Sequence, residues 1–214
     1  MSRLLNIKAM GLVDYPHCFA KMQAFTQARD AQTTDELWLL EHPPIYTQGL
    51  AGKPEHIFNA GEIPILQVNR GGQVTYHGPG QAVIYFLLDI ERHKLGVREL
   101  VSRIENAMID LLKDLGIDAV GDRDAPGVYV DGAKIGSIGL RVTKGCTYHG
   151  LSFNVDMDLT PYQGINPCGY AGMRVTQLAD LLAGQSVALN MHEIQQSLAS
   201  KLATELEYQS INNI

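Results

Sequence analysis

The sequence predicts an α+β fold in one domain, and three observations carry that expectation. A long amphipathic stripe, Val97, Leu100, Val101, Ile104, Met108, Leu111, Leu112 and Leu115, repeats at helical spacing and stops at Gly116. A run of strand-like segments joined by tight-turn signals follows it, from Gly127 to Asp156. Strands and helices do not alternate in the regular βαβ rhythm that marks a doubly wound parallel sheet.

Phe19, Met22, Phe25 and Ala28 recur at near-helical spacing and predict a helix over about residues 17–31. Asp35 to Leu40 turns strand-like, and Pro43-Pro44 ends that segment. Further strands are expected at Ile65–Val68, Gln73–Tyr76 and Ala82–Leu88. After the long helix, Gly127–Val130 leads into Asp131-Gly132, a hairpin turn signal, then Lys134–Val142. Thr143-Lys144-Gly145 turns the chain again into Cys146–Asp156, so three antiparallel strands are expected. Ile194, Leu198, Leu202 and Leu206 form a last helical stripe, and Asn190 with Glu193 has the spacing of a capping box at its start. Residues after Glu207 read as a frayed polar tail.

With 214 residues and 45% hydrophobic content the chain can bury a substantial core. No stretch approaches the roughly 20 continuous apolar residues that span a bilayer, and Met1–Lys8 lacks an apolar signal core. A cytoplasmic protein without membrane attachment is expected. Cys18, Cys146 and Cys168 are an odd set, which favours free thiols in a reducing compartment. A net charge of −6 argues against broad nucleic-acid binding, which relies on basic surface to neutralise phosphates.

Cys168 lies in Ile165-Asn166-Pro167-Cys168-Gly169, a Pro/Gly-framed turn able to hold a thiol rigidly and expose it. Lys134 lies in a second glycine-rich stretch, Gly132–Gly139. Thiol and amine together suggest acyl transfer, because an ammonium stabilises a thiolate and burial lowers a lysine's own pKa enough for it to shuttle protons. Arg70-Gly71-Gly72-Gln73-Val74-Thr75-Tyr76-His77-Gly78-Pro79-Gly80-Gln81 fits neither the Walker A pattern nor the dinucleotide fingerprint. Taken by its chemistry alone, this loop is a connection more often than a pocket wall, and His77 is expected to make a structural hydrogen bond to backbone. Cys146 and His149, three residues apart on one strand, should face opposite sides of the sheet, leaving Cys146 as a small core residue. No spacing of cysteines and histidines supports a metal site.

Four ordered motifs, Arg70–Gln81, Lys134–Gly139, His149–Asn154 and Asn166–Gly169, closely resemble the octanoyltransferases of lipoate biosynthesis, over about residues 30–185. The resemblance implies a fold like the biotin and lipoate protein ligases (class II aminoacyl-tRNA synthetase/biotin synthetase-like), with a mixed, largely antiparallel sheet flanked by helices. It implies transfer of octanoyl from octanoyl-acyl carrier protein to a lysine of lipoyl domains of 2-oxoacid dehydrogenases and of the glycine cleavage H protein. Cys168 would be the acyl-thioester nucleophile and Lys134 its proton shuttle. The acyl contacts would be Arg70, Gly71, Gly72, Gln73, Val74, Thr75, Tyr76 and His77, then Ser137, Ile138 and Gly139, then Gly150, Leu151 and Ser152. No cofactor is implied, since thioester exchange is close to neutral and amide formation from a thioester is downhill. An eight-carbon tail needs an apolar slot, and backbone N–H groups near Cys168 or in the Arg70–His77 loop are candidate oxyanion donors. Two acidic partners imply a basic patch, with Arg70, Arg141, Lys144 and Arg174 as candidates. An ATP-dependent lipoate or octanoate ligase of the same fold is the nearest rival, a cysteine thioesterase the second and a non-enzymatic binding module the third.

Overall fold

The runs Leu37–Leu40 and Ala82–Leu87 are apolar without interruption, and the reason is that both faces of their strands are covered. The computed structural model describes residues 3–185 and 188–214. In chain order its elements are β1 (Leu4–Leu12), α1 (Tyr15–Ala28), β2 (Asp35–Glu41), β3 (Ile45–Gln48), β4 (Ile65–Gln67), β5 (Val74–His77), β6 (Gln81–Leu87) and α2 (Val97–Asp114). These are followed by β7 (Val120–Gly121), β8 (Gly127–Val130), β9 (Ala133–Thr143), β10 (Cys146–Asn154), α3 (Leu178–Leu181), α4 (Met191–Glu205) and β11 (Ser210–Asn213). The main sheet has the order β11-β1-β2-β6-β10-β9-β8-β7, and a small second sheet has the order β4-β3-β5. Only the β1–β11, β1–β2 and β3–β4 pairs are parallel, so the mixed sheet is largely antiparallel, as expected.

Strand alternation divides the core. Leu37, Leu39, Ile84, Phe86, Leu151 and Phe153 face α2 and α4, where they pack on Leu100, Ile104, Met108, Leu198 and Leu202. Trp38, Leu40, Val83, Tyr85 and Tyr148 face α1, against Tyr15, Cys18 and Met22. Each such fully buried aliphatic or aromatic side chain contributes about 1.5–3 kcal/mol. A third cluster, around Tyr46, Val74, Tyr76, Tyr162 and Ile165, fastens the small sheet to the segment that precedes Cys168.

The local signals resolve cleanly. Asp131 (φ 48°) with Gly132 (φ 72°), and Lys144 (φ 49°) with Gly145 (φ 72°), make the two left-handed pairs that close the β8–β9 and β9–β10 hairpins. Asn190 caps α4 by accepting the Glu193 N–H at 3.3 Å. Helix α1 starts earlier than its apolar spacing indicates because Asp14 accepts the His17 N–H at 3.2 Å and Pro16 fits the first turn. The expected frayed tail is corrected: residues 210–213 form β11, which pairs in parallel with Leu4–Ile7. No described helix is long and apolar enough to cross a membrane.

Candidate active site

Two crossings of the chain bring the predicted pair together. Pro167–Gly169 form a single 3-10 turn in which Cys168 is left-handed, with φ 56° and ψ 14°, a conformation that thrusts its side chain out of the turn. The segment is anchored on one side by the Asn166 N–H, which donates to the His56 carbonyl at 2.9 Å. On the other side the chain returns past Lys134, whose N–H donates to the Arg174 carbonyl at 2.8 Å while the Thr176 N–H donates to the Lys134 carbonyl at 2.9 Å. Lys134 on β9 is 2% exposed, and its Nζ donates to Cys168 Sγ at 3.1 Å. Its other neighbours are the Ala125 carbonyl at 3.4 Å and the Tyr129 ring at 5.1 Å.

The ammonium needs space, and Gly127 supplies it. A Cβ there would lie 2.5 Å from Lys134 Cε and 2.3 Å from the Gly136 carbonyl oxygen, and the residue's φ of 147° suits only glycine. The Gly127 N–H donates at 2.9 Å to Glu105 Oε1, a buried carboxylate on α2 with no ion pair among the described residues. Burial pushes the Glu105 carboxyl up, and the nearby Lys134 charge works against that rise.

The expectation that burial leaves Lys134 with a lowered pKa is corrected. Burial does pull it down, but the Cys168 sulfur and the Tyr129 phenol outweigh burial, and the net direction is upward. The resting lysine is therefore an ammonium whose charge is held in place by the sulfur it faces.

Cys168 opens on a slot with about 470 Å³ of empty space, its mouth included. Of the fourteen motif residues expected around an acyl chain, Arg70, Gly72, Gln73, Val74, Thr75, His77, Ser137, Ile138, Gly139, Gly150, Leu151 and Ser152 line it. Tyr76 does not: it turns away into the third apolar cluster beside Tyr46 and Tyr162. Gly71 also stands off the wall, its N–H donating to the Leu140 carbonyl at 2.9 Å and so pinning the loop to β9. That bond removes Gly71 as an oxyanion donor, and the Gly169 N–H is likewise committed to the Asn166 carbonyl at 2.9 Å. The Cys168 N–H meets no backbone carbonyl among the described residues.

Sequence reasoning missed the inner end of this slot. Tyr15, Tyr85 and His149 close it, each under 5% exposed. The slot thus ends on polar, aromatic side chains that the sequence motifs did not indicate. Tyr15 O–H lies 3.4 Å from His149 Nδ1, His149 Nε2 lies 3.0 Å from Asn69 Oδ1, and Tyr85 O–H lies 2.7 Å from His42 Nε2. His77 is hydrogen-bonded to side chains and not to backbone, at 2.7 Å to Gln81 Oε1 and 3.3 Å to Thr47 Oγ1. Burial lowers the pKa of His77 and His149 to about 3 each, so both imidazoles are neutral. His149 also breaks strand alternation. At φ 61° its ring stacks on that of Tyr148 at 5.0 Å and on Phe19 of α1 at 5.2 Å. It stays apart from Cys146 because its two nitrogens bond elsewhere, while Cys146, half-buried and not a core residue, bridges to Asp89. Cys18 is the core thiol, its pKa raised to about 12 by burial. Among the described residues no group of three metal-ligating side chains occurs.

Arg70 is the other correction. It is 7% exposed and lines the slot, so it belongs to no surface patch; Lys144 and Arg174 are exposed and Arg141 is partly so. Its guanidinium donates to the Thr47 carbonyl at 2.6 Å, to Thr47 Oγ1 at 2.9 Å and to the Gly71 carbonyl at 2.8 Å, and it pairs with no described carboxylate. Gly139 admits the side chain, since a Cβ there would lie 3.0 Å from Arg70 Cδ.

The model of the lipoyl protein ligase A/B catalytic domain matches residues 14–203. A relative from Chromobacterium violaceum named octanoyltransferase is 57% identical, covering 94% of this chain and 97% of its own length. Another of that name from Pseudomonas entomophila is 55% identical over 97% of this chain and 95% of its own. Solved structures show the same fold at low identity. A putative lipoate protein ligase of Thermoplasma acidophilum with bound lipoic acid has a TM-score of 0.73 at 17% identity, covering 100% of this chain and 89% of the other. A lipoate-protein ligase A bound with ATP has a TM-score of 0.77 at 16% identity, covering 100% and 90%. Fold, slot and full-length sequence similarity together place this chain in the lipoyl protein ligase A/B catalytic-domain family, among its octanoyltransferases.

Proposed function

We propose that this acyltransferase carries octanoyl on Cys168, taking it from octanoyl-acyl carrier protein and giving it to the acceptor lysine of lipoyl domains and the glycine cleavage H protein. The observation that supports the reading most is the 3.1 Å contact between Lys134 Nζ and Cys168 Sγ at the mouth of a slot walled by the motif residues. The thiolate attacks the donor's thioester carbonyl, and the tetrahedral intermediate collapses with loss of the carrier's thiolate, which takes a proton from Lys134. The Cys168 N–H, which donates to no backbone carbonyl among the described residues, is a candidate donor for the oxyanion.

Acylation then changes Lys134. The sulfur charge that held its pKa up is gone, burial is less opposed, and the amine left behind is suited to act as a base. The acceptor amine attacks the acyl-enzyme, Lys134 takes the proton from its nitrogen, and the Cys168 thiolate leaves, restoring the starting pair. One acyl group and one proton move in each half, and no nucleotide is consumed.

Turnover with octanoyl-acyl carrier protein and a lipoyl domain, without ATP, tests this reading. Cys168→Ala should lower kcat/KM by on the order of 10^4-fold or more, and Lys134→Ala by about 10^2- to 10^4-fold, the range of general acid–base catalysis. Transfer that needs free octanoate and ATP, and that survives Cys168→Ala, would refute the thioester route.

A further inference from the structure

We propose that Tyr15 is the floor of the acyl slot and sets the length of chain that the enzyme accepts, an inference that rests on the acyl-enzyme reading above. Two cavities share this one residue. On its inner side Tyr15 lines the slot that begins at Cys168; on its outer side it lines a separate surface groove with Pro16, Pro43, Pro44, Ile45 and Leu66. The groove has about 670 Å³ of empty space, the open solvent at its mouth included, and its lining is mainly apolar. Tyr15 is 2% exposed and is shared by the two linings, so we take its ring as the partition between the slot and an apolar exit.

The partition is stiff. The ring sits 4.7 Å from that of His42 and lies stacked at 25° on His77 with centroids 5.6 Å apart, while the O–H is 3.4 Å from His149 Nδ1. His42, like His77 and His149, is held neutral by burial, with its pKa lowered to about 4. A methyl end that arrives here meets a fixed aromatic wall. A longer chain would have to displace the ring and strand its hydroxyl and the His149 nitrogen without partners in a buried place. Length is therefore limited by shape and by the polarity of the floor together.

Tyr15 also occupies a position where truncation spares the helix. It is the first residue of α1, between the Asp14 cap and Pro16, and the N–H groups of a first turn carry no intrahelical bond. Removing the ring joins slot and groove without breaking the ladder of α1.

The experiment is intact-protein mass after brief exposure to octanoyl-, dodecanoyl- and hexadecanoyl-acyl carrier protein, for wild type and Tyr15→Ala. Wild type should form the octanoyl adduct and discriminate against the longer chains. In Tyr15→Ala the ratio of dodecanoyl to octanoyl acylation rates should rise by about 10^2-fold, the scale on which pockets discriminate by shape. A ratio unchanged in a folded, octanoylated variant would overturn the role of Tyr15 alone. Absence of any adduct on wild type would overturn the acyl-enzyme reading instead. Should the alanine variant not fold, wild type exposed to an octanoyl donor with a terminal diazirine decides the matter. Photolabelling of Tyr15 supports the inference, and labelling that spares Tyr15 refutes it.

Discussion

Two buried polar clusters of the molecule are built on opposite principles. At the start of β2 the Asp35 carboxylate, 1% exposed, is surrounded by donors: Arg29, Arg92 at 2.7 Å, His93 Nε2 at 2.6 Å, Tyr208 O–H at 2.7 Å and the Asp89 N–H at 2.9 Å. Burial pushes the Asp35 carboxyl up, but those donors and the Arg29 charge more than reverse it, and its pKa is lowered. The cluster ties the end of α1, the strand β2, the turn after β6 and the chain after α4 into one closed knot. Beside the slot, Arg70 is the buried charge, yet it has carbonyl and hydroxyl partners only, and it opens on empty space among neutral histidines. A saturated charge holds the fold together. A charge left without its counter-ion next to a cavity is poised toward what the cavity receives, which in the proposed reaction would be the sulfur and the developing oxyanion.

Removing each charge should separate the two roles. Asp35→Ala strands the buried Arg29 guanidinium, whose side chain is 3% exposed, and should cost about 3–5 kcal/mol of stability in urea unfolding, with the acylation rate of the folded fraction preserved. Arg70→Met should show the reverse: acylation slower by on the order of 10^2-fold, as for loss of one electrostatic stabiliser, with a smaller loss of stability, about 1–3 kcal/mol, because the acceptors it leaves on Thr47 and Gly71 are neutral. If Arg70→Met unfolded the protein while leaving acylation intact, the comparison would collapse.

Acid should attack the two clusters at different pH. The folded pKa values of His42, His77 and His149 are depressed to about 4, 3 and 3. The unfolded chain takes up protons on these imidazoles below about pH 6.5 while the folded chain does not. Stability that is full above that value is thus lost as pH falls toward 3, by up to about 1.4 kcal/mol per pH unit per histidine. The Asp35 contribution, with a lowered folded pKa, is present above the ordinary aspartate value of about 3.9 and disappears only as pH falls below it. Thermal melts across this range should therefore begin to drop near pH 6.5, well before Asp35 is touched. A flat profile down to about pH 4 would mean that the slot histidines are not buried as neutral rings.

The smallest expected effect is at Glu105. Glu105→Gln keeps an acceptor for the Gly127 N–H but removes the negative charge that Lys134 feels. The limb of the pH–rate profile governed by Lys134 should move to lower pH, with a loss of rate of about tenfold or less.

What the sequence made legible was local. The stripe of α2, the two left-handed hairpin turns and the Asn190 cap depend on neighbouring residues, and each resolves where the spacing put it. Strand β11 was illegible because Ser210–Asn213 is exposed and polar, and its partner Leu4–Ile7 lies at the other end of the chain. The Cys168–Lys134 pair was legible through the ordered motifs, since nothing in either glycine-rich stretch says that the two meet. The floor was not legible, because Tyr15 and His149 are 134 positions apart and become neighbours only when α1 packs on β10. Tyr85, a hydroxyl inside the apolar run of β6, was the one local sign that this face of the sheet hides a polar cluster.

The most direct test is the intact mass of the protein after mixing with octanoyl-acyl carrier protein in the absence of ATP, for wild type and Cys168→Ala. The account predicts a hydroxylamine-labile octanoyl adduct on wild type alone, mapped to the Cys168 peptide and chased onto a lipoyl domain when one is added. An adduct that persists in Cys168→Ala, or none on wild type while lipoyl domain is still octanoylated, would contradict it.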